Sequence, residues 1–430
     1  MTHARKWWLG IGFTLGVFAL LAVIVVSLIP SDEELARRAA AELEAKLGVP
    51  VSIGALHWQL LPSPLVVIEN AATRQPQPLE VKKLTAYLDT AALWQRRLKV
   101  DRAELQGAVV PQLSLRALAP QDPAAGADKP GSFTVDEIPL ARFEFHDVTW
   151  ISRRGNRVVY DGEVDFDAGW RPRTAQLRRP EVKPATDLTL TRQGQDDRWD
   201  VRANVGGGAA NGQVQLESGA KGGAMRLSGK LQPRGIEVDS ALQAFNRRSI
   251  VAGKASGETT LSASGATVGE LAQSLHTTTP FTVGRSTLLR FDLDKAIRTV
   301  GKDHSGKTPL DSITGQLDTQ NTPDGMVVDF SRIKAKSGAL SASGKARVAN
   351  RHIDAEFAVD LVKGLVGIPL KISGPLDQVK VSVPASAVAG AVAGTAVLPG
   401  IGTAIGARIG AAMGQIFGAR PAAAPAGKRP

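Results

Sequence analysis

The period of apolar positions changes several times along the chain, and each change predicts an element. Trp7 to Ile29 (WWLGIGFTLGVFALLAVIVVSLI) is apolar on every side and carries no charge. At 1.5 Å per residue it is roughly 35 Å long, enough to cross a bilayer core. From Leu35 the apolar residues fall every four positions, Leu35, Ala39, Leu43 and Leu47, which predicts an amphipathic helix over 31–48. Ser31 and Glu34 have the spacing of a capping box, and Gly48 and Pro50 stop the helix. From Val51 the period drops to two. Strands are predicted at Leu65–Ile68, Val81–Asp89 and Leu98–Leu105, with a short turn or helix at Leu93-Trp94.

Alternation then continues for most of the chain. Strands are predicted at 138–150, 157–166, 187–192, 199–205, 213–216, 225–231, 258–263, 326–333, 339–348 and 353–361. Helical spacing interrupts them at 238–246, 267–275 and 294–300. Each strand is apolar on one face and Arg/Lys/Asp/Glu/Gln/Ser on the other, so one face meets water and the other needs a cover. The expected fold is mainly β. A transmembrane helix and a short amphipathic helix lead into a long antiparallel sheet that closes as a sandwich or barrel, or curls around an apolar trough. The expected divisions are 1–30, 31–48, 49–118, a Pro/Ala/Gly linker at 119–131, 132–384, 385–418 and a tail at 419–430.

Charge orients the first segment. Arg5 and Lys6 precede it and Asp32 and Glu33 follow, so the N-terminus is expected in the cytoplasm and the bulk across the membrane. Trp7 and Trp8 sit at an interfacial level, and Phe13, Phe18, Leu21, Ile24 and Ile29 belong to the span. The apolar core is longer than that of a cleaved signal peptide, and Ser27-Leu28-Ile29-Pro30 is a poor cleavage site, which favours an uncleaved signal anchor. Near the other end, Gly402, Gly406, Gly410, Gly414 and Gly418 repeat every four residues and share one helical face. That stretch reads as a membrane-touching hairpin hinged at Pro399-Gly400, a helix plugging the trough, or a poorly ordered tail.

Composition narrows the chemistry. Lys and Arg number 52 against 41 Asp and Glu, a net charge of +11 that suits anionic partners. Nucleic acid is a poor partner across a membrane, and with Tyr 2 and Phe 12 base-stacking platforms are not expected. There is no cysteine, hence no disulfide, thiolate metal site or Cys nucleophile. The six histidines are scattered without metal-ligand spacing, and no nucleophile elbow occurs. No catalytic, cofactor or metal site is expected. Gly301 to Thr308 fits G-x-x-x-x-G-K-T, but Pro309 opposes the helix a P-loop needs next. Asp165 and Asp167 read as a solvated strand face, and Arg171, Arg173, Arg178 and Arg179 as a basic loop suited to anionic headgroups.

Four blocks carry a resemblance. They are LGVPVSIGALHWQLLPSPLVVIENA (47–71), LTAYLDTAALWQRRLKVDRAELQGAVVPQLSL (84–115), GETTLSASGATVGELAQSL (257–275) with RFDLDKAI (290–297), and 324–361 with IPLKISGPLDQVKVSVP (368–384). In order and spacing these resemble the AsmA family of inner-membrane-anchored periplasmic proteins of Gram-negative bacteria. Thr277-Thr278-Thr279-Pro280 stands where that family commonly has a glycine-rich segment. The resemblance implies a curled β-sheet whose apolar inside holds phospholipid or other acyl lipid, with roles in lipid movement and outer-membrane integrity. Val66, Ile68, Phe143 and Phe145 are then candidate lining residues, with Val66 and Ile68 expected on opposite faces of their strand. The competing expectation is a non-enzymatic membrane-anchored scaffold that acts on outer-membrane protein assembly through a periplasmic or outer-membrane protein partner.

Overall fold

The computed structural model describes residues 32–59, 62–118, 134–218, 224–266, 268–293, 295, 303–322, 325–338, 340–360, 368–376 and 378–382. The expected membrane segment (with Trp7, Trp8, Phe13, Phe18, Leu21, Ile24, Ile29, Arg5 and Lys6), Ser31, the 119–131 linker and the glycine ladder from Gly402 to Gly418 lie outside these residues. Among the described residues no helix is long and apolar enough to cross a membrane. The chain is mainly β, a large and mostly antiparallel sheet with few helices. It divides into two compact units: residues 1–232 with 240–247 and 260–275, and residues 233–239 with 248–259 and 276–430.

The first unit opens with helix α1 (Asp32–Leu47). Its four-residue apolar spacing turns Leu35, Ala39, Leu43 and Leu47 to one side, and all four are buried. Glu34 pairs with Arg37 at 2.5 Å and Arg38 at 3.0 Å on the wet side. Strands β1 (Val51–Gln59), β2 (Leu65–Thr73), β3 (Glu80–Leu88) and β4 (Arg97–Pro111) follow as an antiparallel meander. Leu35 and Ala39 pack on its apolar face beside Leu56, Val66, Ile68, Leu84 and Leu98. Helix α2 (Thr90–Trp94) joins β3 to β4.

Then the direction changes. β5 (Thr134–Ile151) pairs with β4 in parallel, a departure from the antiparallel order read from the sequence. A parallel pair needs a connection of a dozen residues or more, and residues 112–133 supply it. β6 (Arg157–Asp167), β7 (Arg171–Arg178), β8 (Asp187–Arg192), β9 (Arg198–Val205) and β10 (Gly208–Glu217) extend the antiparallel series, each paired with the one before. The expected basic loop at 171–179 is therefore corrected to strand β7. It pairs with β6 on one side and β8 on the other, and Ala175 and Leu177 are its apolar members. β11 (Met225–Arg234) comes next; β12 (Ile236–Glu237) and β13 (Val251–Gly257) belong to the second unit, whereas α3 (Val238–Gln243) and β14 (Thr259–Gly265), for most of their lengths, and α4 (Val268–Ser274) belong to the first.

The second unit is built on β15 (His276–Leu288), with β16 (Thr308–Leu310) and β17 (Ser312–Thr322) on it. β18 (Gly325–Ser337), β19 (Leu340–Ala349), β20 (His352–Asp360), β21 (Ile368–Pro375) and β22 (Lys380–Ser382) complete an antiparallel meander. The third predicted helix, 294–300, falls on residues that are largely outside the description.

Helix α2 is a small, firmly closed element. Asp89 caps it by accepting a hydrogen bond from Ala92 N at 3.0 Å, and Lys99 Nζ lies 2.8 Å from the same carboxylate. The Lys99 hydrogen bond, then the Ala92 amide, holds the Asp89 carboxyl below its ordinary value. A lowered carboxyl pKa contributes stability that is present above the unfolded value, about 3.9, and is lost as pH falls through the folded one. Asp89→Asn keeps the cap but loses the ion pair with Lys99, and is expected to cost about 0.5 kcal/mol at pH 6 and to shrink the drop in thermal midpoint between pH 6 and pH 3. Melts of both proteins at the two pH values check this; equal drops would remove Asp89 from the acid response.

Candidate functional site

The candidate site is a face of the sheet rather than a cleft. Because side chains alternate with period two, register fixes which residues share a face. In the first unit two rows of directly opposed residues cross ten strands without a charged member. One runs Leu56, Ile68, Leu84, Leu105, Phe145, Gly162, Leu177, Leu188, Ala203, Ala210. The other runs Trp58, Val66, Ala86, Ala103, Phe143, Val164, Ala175, Leu190, Val201, Gly212. At a strand spacing of about 4.8 Å, each row runs ~43 Å across the sheet.

All four residues singled out from the sequence stand in these rows, but in different settings. Val66 and Ile68 are two apart, so they share a face; the expectation of opposite faces is corrected. They are 3 % and 4 % exposed beneath α1. They are packed core, not open lining. Phe143 and Phe145 are partly buried and pack at the margin of the same cluster. Beyond them Val164, Ala175, Leu177 and Leu188 are half-buried. Farther on, a second cluster forms around Trp199, Leu216, Met225, Ala263 and Leu271, with Leu190 against it. Leu177 and Leu188 were not singled out in the sequence, although the Ala175/Leu177 and Leu188/Leu190 pairs carry the two-residue signal.

The second unit repeats the design. Leu317, Phe330, Ala346, Ala355, Ile372 and Val381 form one row, and Ile333, Gly344, Phe357 and Leu370 another. Across the two units three phenylalanines are paired with glycines: Phe145 with Gly162, Phe281 with Gly257 on one side and Gly315 on the other, and Phe357 with Gly344. The rings lie over the glycines so closely that a Cβ would stand 2.5 Å from Phe145 Cζ at Gly162 and 2.5 Å from Phe357 Cδ1 at Gly344.

The opposite face is charged and neutralised locally. Arg142 binds Glu144 at 2.6 Å, Glu163, and Asp165 at 3.5 Å. These bonds, Glu144 first, raise the guanidinium's pKa above its ordinary value. Asp165 also accepts from Thr174 Oγ1 at 2.6 Å. On the apolar face, at the end of β8, Arg192 follows Leu188 and Leu190; its side chain is only 2 % exposed and it reaches Asp167 at 3.5 Å and Asp197 at 3.3 Å. Both aspartates, read from the sequence as a solvated strand face, are partly exposed and bind arginines. In the second unit Arg347 and Asp329 pair at 3.0 Å and Lys345 and Glu356 at 3.2 Å.

The described part of the P-loop pattern has other work. Thr308 opens β16; its hydroxyl donates to Phe291 O at 2.8 Å and accepts from Leu293 N at 2.9 Å. Asp303 is bound by Lys295 at 2.6 Å and by Ser305, and these bonds, Lys295 first, hold its carboxyl far below the usual range. Asp32 stands at the start of α1 with Oδ2 3.0 Å from His57 Nδ1, and Glu33 is exposed beside it. Among the described residues no group of three His, Asp or Glu side chains gathers as a metal site would require. No family model matches this chain, and no curated protein or solved structure matches it.

Proposed function

We propose that this chain is an AsmA-like protein that holds lipid acyl chains on the apolar face of its sheet. In this reading Trp7–Ile29 anchors it in the inner membrane of a Gram-negative bacterium, with its bulk in the periplasm. It is not an enzyme, and it contributes to phospholipid transport and to outer-membrane integrity. The observation that carries the reading is the pair of uncharged rows through ten strands, half-buried in their middle part.

Large contiguous apolar surface rimmed by polar residues marks an interaction site. The part of the row outside the packed core, from Phe145 to Ala210, runs ~24 Å over six strands and still exceeds the ~15 Å of one leaflet's hydrocarbon, so it is long enough for an acyl chain. Each methylene removed from water contributes about 0.8 kcal/mol, while the charged face stays wet. In the curled form, the sheet would shelter the chains from water on the far side as well. Mass spectrometry of organic extracts from the purified full chain tests the proposal. Stoichiometric phospholipid supports it, and a lipid-free, folded protein overturns it.

A further inference from the structure

Trp94 is 86 % exposed, the most exposed of the large apolar side chains among the described residues. It is not at the tip of a loose loop. Helix α2 is capped by Asp89, Ala92 is buried, Leu93 packs on the core, and Arg96 closes the turn at φ 55. The turn thus presents a large aromatic ring to the outside, with the exposed Arg96 next to it and Arg97 held by Asp136 at 2.7 Å. An amphipathic indole beside cations is the composition of a membrane-water interface.

Position supplies the second argument. The Asp32–His57 contact sets the first turn of α1 against β1, two residues from the end of that strand. Register carries His57 to Val67 and on to Thr85, three residues before β3 ends and α2 begins. Trp94 therefore lies off the same end of the strands, about 10 Å to the side and at least ~10 Å further out. Only three residues separate Asp32 from Ile29, a reach of at most ~11 Å. Within the first turn of α1 Glu34 is held by Arg37 and Arg38 and Asp32 contacts His57, while Glu33 is exposed.

We infer that the α2 turn is a second membrane contact: Trp94 seats at the headgroup level of the bilayer that holds Trp7–Ile29, with Arg96 facing its phosphates. This rests on the anchor reading above. The two contacts together press one end of the β1–β4 layer against the lipid surface.

The chain has no cysteine, so Trp94→Cys creates a single site for an environment-sensitive nitrobenzoxadiazole label. A Gln195→Cys label in the exposed β8–β9 turn is the comparison. The full chain is reconstituted into phosphatidylcholine/phosphatidylglycerol vesicles carrying bromines at shallow or deep acyl positions. The label at 94 is expected to shift to the blue and to lose roughly half its emission to shallow bromines, with less loss to deep ones, while the label at 195 is unchanged. Protein that floats with the vesicles but is unquenched at 94 overturns the second contact and leaves the anchor standing. A blue-shifted, unquenched label means that protein covers Trp94, and also overturns it. Protein that fails to float overturns the anchor and this inference with it.

Discussion

Ile68→Asp is expected to unfold the β1–β4 layer rather than merely to weaken lipid binding. Ile68 is 4 % exposed, with Leu56, Leu84 and the α1 residues Leu35 and Ala39 in the same cluster. Removing a buried isoleucine costs about 2–5 kcal/mol, and an unpaired carboxylate placed there adds several more. Whole domains are stable by only about 5–15 kcal/mol. The loss is read as absent or non-cooperative thermal unfolding in circular dichroism and as rapid proteolysis of the first unit. A cooperatively folded Ile68→Asp protein with reduced lipid would mean instead that α1 lifts away and Ile68 lines an open surface.

Leu188→Asp is expected to do the reverse, leaving the fold intact and removing lipid. Leu188 is half-buried between Leu177 and Ala203, outside the buried apolar clusters of the first unit. Its substitution costs about 1 kcal/mol of stability, within the range the sheet tolerates. A carboxylate under an acyl chain, in contrast, has no partner, and a desolvation cost of about 1–3 kcal/mol corresponds to roughly a tenfold to hundredfold loss of retained lipid. Thr189→Asp is the matched control: Thr189 faces the other way and stands opposite Arg202. Lipid content by mass spectrometry is expected to fall for Leu188→Asp and stay level for Thr189→Asp. A membrane-anchored scaffold working through its wet face predicts the opposite pattern in a functional assay, silent at 188 and damaged at 189.

Much of the fold is legible in the chain because its two periods are clean. The four-residue spacing of Leu35, Ala39, Leu43 and Leu47 marks α1, and Asp187–Arg192 is a strand with the bounds its alternation predicts. Strand β7 escaped because its three arginines, followed directly by Arg179, outweigh the two apolar side chains, Ala175 and Leu177. The parallel pairing of β4 with β5 escaped for a different reason. Alternation is the same in both directions, and only the length of the 112–133 connection bears on it. The candidate face was legible as a face, since Val66, Ile68, Phe143 and Phe145 all belong to it. What covers each part was not. A helix's apolar stripe says that it packs, not on which strands, so the burial of Val66 and Ile68 under α1 needed coordinates.

The pairs of phenylalanine and glycine have a mechanical consequence for a surface that carries chains. A β-sheet of branched side chains is corrugated, with a ridge at every second residue. Where a ring lies flat over a glycine the ridge is filled from the neighbouring strand, as at Gly162 and Gly344. Dispersion contacts are only about 0.1–0.2 kcal/mol each, so an acyl chain on a level floor exchanges them one for one as it moves. On the proposed reading, such a floor gives little friction and no fixed address: it favours sliding over storage.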